Sequence, residues 1–206
     1  MAYTRADVRT EVRDTIDESV ADLWTDARLN KFIASEIRGL PRKGIYLEEI
    51  WEVSTEQNKR DYPLPDGTYK VELVERNYGT ASVTDYQEVK GWDNYGGALW
   101  LDTRPVDVWT MRIHIRKAFT TPVNDVDNLD IPDEKMEVVV VGAAIRAYRM
   151  LMGYLVDAKN WDTVSKPNGI SMPMVQSWIR DLKADYLDLI KTFRTQPRVR
   201  DINLVD

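Results

Sequence analysis

Side chains that could do chemistry are few in this chain, and their types narrow the choices. It has no cysteine, so disulfides, thiolate metal sites and a cysteine nucleophile are excluded. Its one histidine, His114, excludes every two-histidine metal motif and leaves little room for a catalytic triad. Carboxylates are plentiful. Glu48 and Glu49 could be an acid and a base, but they sit on an expected surface strand among charges, where a solvated face is the better reading. Asp125, Asp127 and Asp130 resemble a calcium loop only loosely, because the glycine and the closing glutamate of an EF-hand are missing. No glycine-rich phosphate loop and no nucleophile elbow occurs. His114 lies between Arg112 and Arg116 on the polar side of a strand, with no orienting acid nearby in sequence. The reading is of a protein without enzymatic activity, metal site or cofactor.

Arg112, His114 and Arg116 form a possible interface, a basic stripe that could meet phosphates or an acidic partner. Cross-strand pairing with the neighbouring glutamates is the favoured account of it. A formal net charge of −6 argues against conventional nucleic-acid binding, which leaves a basic footprint. Seven tryptophans and ten tyrosines suit core and sheet packing first, and interface anchors second.

The elements that must position these residues fall into three blocks. Val8, Val12 and Ile16 recur every fourth residue, which predicts a helix over Arg5–Asp17. Thr25 is placed to cap a second helix, with Trp24 and Leu29 as its hydrophobic staple. Leu29, Phe32, Ile33, Ile37 and Leu40 form the apolar face of that helix, and Pro41 with Gly44 ends it. From Ile45 the period drops towards two. Tyr62–Gly67 and Asn94–Gly97 read as turns, Thr68–Arg76 as a strand with Val71 and Leu73 on one side, and Ala98–Asp102 as a short strand. Trp109–Lys117 alternates most regularly. One antiparallel sheet of about five strands with a wet face is expected.

After an acidic stretch, Ile131–Glu134 opens a third helix whose run Met136–Ile145 is apolar on nearly every side, as in a helix central to a bundle. The wider run Met136–Leu155 carries Glu137, Arg146 and Arg149, so it does not read as a membrane span. The opening residues carry no apolar signal core, which implies synthesis in the cytoplasm. A fourth, amphipathic helix is expected over Met174–Arg194.

The fold class is therefore α+β: a helical bundle core of about four helices, an inserted antiparallel β-sheet domain and an extended C-terminal arm. The expected boundaries are 1–44 and 132–194 for the helical core, 45–119 for the β insertion, 120–131 for an acidic linker and 195–206 for the arm. Pro197 interrupts the helix, and Val199, Ile202, Leu204 and Val205 have no helical face to join. Such an arm is expected to dock on a partner.

Arg9-Thr-Glu-Val-Arg-Asp-Thr-Ile16 followed by Leu23-Trp-Thr-Asp-Ala-Arg-Leu-Asn-Lys-Phe-Ile33 resembles the opening of the head–tail connector, or adaptor, proteins of tailed bacteriophages. Tyr62-Pro-Leu-Pro65 opening the β insertion and Ile131-Pro-Asp-Glu134 leading into a helix add to the likeness. The resemblance implies a structural virion protein at the head–tail interface, in the neck, made in the host bacterial cytoplasm. It implies a homo-oligomer, a ring of twelve docked beneath the phage portal protein. The ring would continue the DNA channel towards the next neck or tail-completion protein, and genomic DNA would pass without sequence-specific binding. The C-terminal segment would be the portal-binding one, through Arg194, Arg198, Val199, Arg200, Ile202 and Leu204. An acidic conduit suits passage, since basic walls grip phosphates. The alternative is a monomeric sugar- or peptide-binding module that uses Trp92, Tyr95 and Trp100 of the β insertion.

Overall fold

Among the described residues, four helices and two antiparallel sheets make an α+β fold. The computed structural model describes residues 3–18, 23–79, 85–157 and 172–194. In chain order the elements are α1 (Arg5–Thr15), α2 (Asp26–Gly39), a 3-10 turn (Leu40–Lys43), β1 (Leu47–Ser54), β2 (Asp61–Pro63), β3 (Thr68–Asn77), β4 (Tyr86–Glu88), β5 (Trp92–Tyr95), β6 (Ala98–Leu101), β7 (Thr110–Lys117), α3 (Asp133–Asp157) and α4 (Met172–Phe193). They divide into two units. Met1–Ile45 and Phe119–Arg194 form a helical one, and Tyr46–Ala118 a β one.

In the helical unit, Thr4 caps α1 reciprocally with Asp7. The Asp7 N–H donates to Thr4 Oγ1 at 3.2 Å, and the Thr4 N–H to Asp7 Oδ2 at 2.9 Å. Val8 and Val12 are fully buried. The helix stops two residues short of the expected Asp17, which takes a positive φ of 53°. Thr25 occupies the N-cap of α2 in extended conformation, but its side chain makes no capping bond. Trp24 is buried with its ring edge-on to Phe32 at 5.9 Å. Gly44, at φ 81°, closes the turn after α2 in the left-handed region that suits glycine. The buried residues of α3 run round its circumference (Val138–Val141, Ala143–Ile145, Ala147), because α1, α2 and α4 all pack on it.

The β unit corrects the single sheet expected from the sequence. Its strands form two sheets, ordered β1-β7-β3-β4 and β2-β6-β5, which share one core. Tyr62, Leu99 and Leu101 come from the smaller sheet, and Val71, Val74, Met111, Ile113 and Ile115 from the larger. The turn chemistry was tighter than expected. Gly96 and Gly97 both take positive φ (62° and 76°), so two residues close the hairpin and Asn94 and Tyr95 are released into β5. Tyr62 and Pro63 likewise pair with Leu99 and Ala98 instead of turning.

A second correction concerns β3. A register shift falls between Val71, opposite Ile115, and Leu73, opposite His114. Glu72 is the extra residue of this bulge, so Val71 and Val74 face the core and Leu73 does not.

Candidate functional site

Each acid and base singled out in the sequence is held by a neighbour. Adjacent strand residues point to opposite faces, so Glu48 and Glu49 cannot act on one substrate. Glu48 pairs with Arg116 at 3.6 Å, and Glu49 with Lys117 at 3.1 Å. The outer face of β7 carries the basic stripe, and carboxylates answer it residue by residue. Arg112 donates through Nε and Nη2 to Glu52 Oε1 at 3.1 and 3.0 Å, and its guanidinium lies 3.7 Å from the Tyr86 ring centroid. His114 Nε2 meets Glu75 Oε2 at 2.7 Å. Arg116, almost wholly buried, lies 3.4 Å from Glu72 and 5.5 Å from the centre of the Tyr46 ring. The register explains this: Glu52 stands opposite Arg112, and Glu48 opposite Arg116.

The acidic segment is tied into the helical unit. Asp125 Oδ1 accepts from Arg5 Nη2 at 2.7 Å and from Arg9 Nη1 at 3.0 Å. These bonds hold its carboxyl below the usual range. Asp127 accepts from the N–H groups of Asn124 and Val123 and is lowered for that reason. Asp130 accepts from the Thr120 N–H at 2.9 Å. No cluster of three or more acidic or histidine side chains among the described residues is placed to hold a metal.

The motif that carried the family resemblance is a clasp between α1 and α2. Arg13 Nη2 donates to Trp24 O at 2.8 Å and to Asp26 Oδ1 at 2.7 Å, while Arg9 Nη1 reaches Asn30 Oδ1 at 3.2 Å. Glu18, buried, pairs with Arg13 at 2.7 Å and accepts the N–H groups of Leu23 and Trp24 at 2.6 and 2.8 Å. So the arginines, tryptophan, aspartate and asparagine of the motif serve one joint.

Sequence reasoning missed Glu36. It sits on the apolar side of α2 and is 2% exposed. Lys43 and Tyr186 both donate to its Oε1, and Arg146 Nε to its Oε2 at 3.1 Å. Burial first, then the bond to this carboxylate, pushes the Tyr186 phenol far above its ordinary pKa. The readable signal was Gly142 in the apolar run of α3: a Cβ there would lie 2.5 Å from Glu36 Cδ.

Of the expected portal-binding residues, only Arg194 is described. It extends the last turn of α4 through its N–H to Ile190 O at 2.9 Å, and its side chain lies against Gly44. Arg198, Val199, Arg200, Ile202 and Leu204 lie outside the described residues. Around the glycine hairpin Tyr95 is 76% exposed, whereas Trp92 packs against the core. The Trp100 indole N–H donates to Tyr95 O at 3.3 Å.

No curated protein matches the chain. A chain from the neck of an empty GTA particle, computed with C6 symmetry, aligns over 93% of this chain and 91% of its own, at 14% identity and a TM-score of 0.33. The family model described as SU10 adaptor protein matches residues 3–164, from the α1 cap through the clasp, the β unit and α3. A match over that share of its length means that the chain belongs to the SU10 adaptor protein family.

Proposed function

We propose that the protein is a structural adaptor of the tailed-phage neck: a ring subunit that docks beneath the portal and continues the DNA channel towards the tail. Membership of the adaptor family carries this reading. The geometry supports it, since the candidate groups Glu48, Glu49, Asp125, His114 and the basic stripe are taken up in internal pairs. On this reading the protein is not an enzyme. The ring has twelve copies, its partners are the portal and the next neck or tail-completion protein, and DNA passes without sequence-specific contact. An acidic chain with a net charge of −6 suits that passage.

The arm makes the portal contact through Arg194, Arg198, Val199, Arg200, Ile202 and Leu204. Three guanidiniums and three apolar side chains fit a surface with acidic and apolar patches. The test is electron microscopy of the purified chain mixed with cognate portal rings, with full-length protein and a form ending at Gln196. Twelve-fold rings on the portal with the full chain, and bare portals with the truncated one, are expected. Particles that stay monomeric and ignore the portal would overturn the adaptor role. Equal attachment of both forms would overturn the role of the arm.

A further inference from the structure

The β unit has an open mouth between its two sheets. Arg76 near the end of β3, Val89 and Gly91 after β4, Leu101 at the end of β6, and residues 103–107 and Trp109 of the loop before β7 enclose a cleft of about 170 Å³. The loop is anchored. The Thr55 N–H donates to Trp109 O at 2.7 Å, the Trp109 N–H to Thr55 Oγ1 at 2.9 Å, and the Asn58 N–H to Pro105 O at 2.9 Å. Thr55 and Pro105 are themselves buried, which fixes the base of the loop.

Arg76 is the unusual residue. It stands opposite Met111, a core residue, and so lies on the apolar side of its sheet. Its guanidinium carbon is 4.6 Å from the Tyr78 ring centroid and 4.8 Å from that of Trp109. The two rings hold the cation, but a ring face offers nothing to in-plane N–H donors. Nε is buried and meets no acceptor among the described residues. A buried donor left unmet is costly, and a guanidinium held in place is a ready fork for a carboxylate. Arg104 adds a second guanidinium to the lining, against the single carboxylate of Asp107. That balance favours a singly charged ligand over a phosphate dianion. Val106 in the lining and Val108 on the same loop are 73% and 69% exposed.

We infer that this cleft receives the carboxylate of a glutamate or aspartate on an acidic segment of a partner protein, with flanking apolar residues of that segment resting on Val106 and Val108. The inference stands apart from the neck role, and it uses none of Trp92, Tyr95 or Trp100.

The probe is the Nε–Hε resonance of Arg76 in the full-length chain, followed by NMR. The titrants are the capped peptide Ile-Glu-Ile, its Ile-Gln-Ile counterpart, an isolated capped glutamate and inorganic phosphate. The expected result is a saturable shift with the glutamate peptide and binding weaker by about tenfold or more with glutamine, because a charge-assisted fork is replaced by neutral bonds. The isolated glutamate should bind several-fold more weakly than the peptide. Arg104→Gln, an exposed change that should leave the circular dichroism intact, should weaken peptide binding several-fold. Equal binding of the two peptides, no shift at millimolar peptide, or a stronger response to phosphate would each overturn the inference.

Discussion

Glu36 shows how one buried charge can decide where four segments meet. It belongs to α2, Lys43 to the turn that follows, Arg146 to α3 and Tyr186 to α4, and all three reach the same carboxylate. Removing its charge leaves Lys43 and Arg146 without their partner, and broken buried pairs are costly. Both cations are partly exposed, which moderates the loss. Glu36→Gln should therefore destabilise the protein by about 2 kcal/mol, read as a lower urea midpoint with an unchanged slope. Gly142→Ala pushes a methyl into the same carboxylate and should cost about 1–3 kcal/mol. Both changes strain one contact, so the double variant should fall short of the sum; simple additivity would mean that the glycine serves something else.

Tyr186 and Asp125 bear on stability at opposite ends of the pH range. The folded-state pKa of Tyr186 is raised, so its contribution is complete below the ordinary tyrosine value near 10 and is lost as pH climbs towards the folded value. Asp125 behaves oppositely. Its pKa is lowered by Arg5 and Arg9, so its contribution is present above the ordinary aspartate value near 4 and is lost as pH falls through the folded one. Thermal unfolding followed across pH should fall at both ends. Tyr186→Phe should flatten the alkaline limb by about one proton, and Asp125→Asn should flatten the acid limb. A Tyr186→Phe variant with an unchanged alkaline slope would exclude the assignment.

At the scale of elements, what could be read from the sequence followed period, and what could not followed insertion. The four-residue spacing of Val8 and Val12 and the strict alternation of Met111, Ile113 and Ile115 both led to the correct buried face. Val71 and Leu73 share a parity, and nothing local says that Glu72 is an extra residue; only the pairing with β7 reveals it. For the same reason the two sheets could not be told from one, since strand order is a matter of long-range pairing. The site fared similarly. The glutamates answering Arg112, His114 and Arg116 were expected as a class, whereas Glu36 was hidden because its partners are up to 150 residues away. Paired truncations in β3 check the bulge. Val74→Ala should cost about 2 kcal/mol as a core cavity, and Leu73→Ala under about 1 kcal/mol. Costs in the reverse order would restore the unbroken alternation.

At the scale of the molecule, the β unit enters and leaves the chain at one place. Leu47, the first residue of β1, pairs with Lys117, the last of β7. Paired antiparallel residues stand about 5 Å apart, so the flanking residues Ile45 and Phe119 leave a gap that a few residues can span. The buried residues of the β core run from Tyr62 to Ile115, with Trp51 and Val53 of β1 packed against them, and the helical unit buries residues from Val8 to Ile179. Each unit has what a domain needs to fold by itself. A chain with 46–118 replaced by Gly-Ser-Gly should therefore keep a cooperative helical transition, and residues 46–118 expressed alone should give a dispersed β spectrum. Loss of cooperativity in the first would show that the helical unit depends on the β unit for stability. The excised form also separates two roles within the proposed ring. If the clasp, α3, α4 and the arm suffice to oligomerise on the portal, rings should still form by electron microscopy, and the β unit becomes the part that meets other partners. Folded but strictly monomeric particles would instead place the contacts between copies in the β unit.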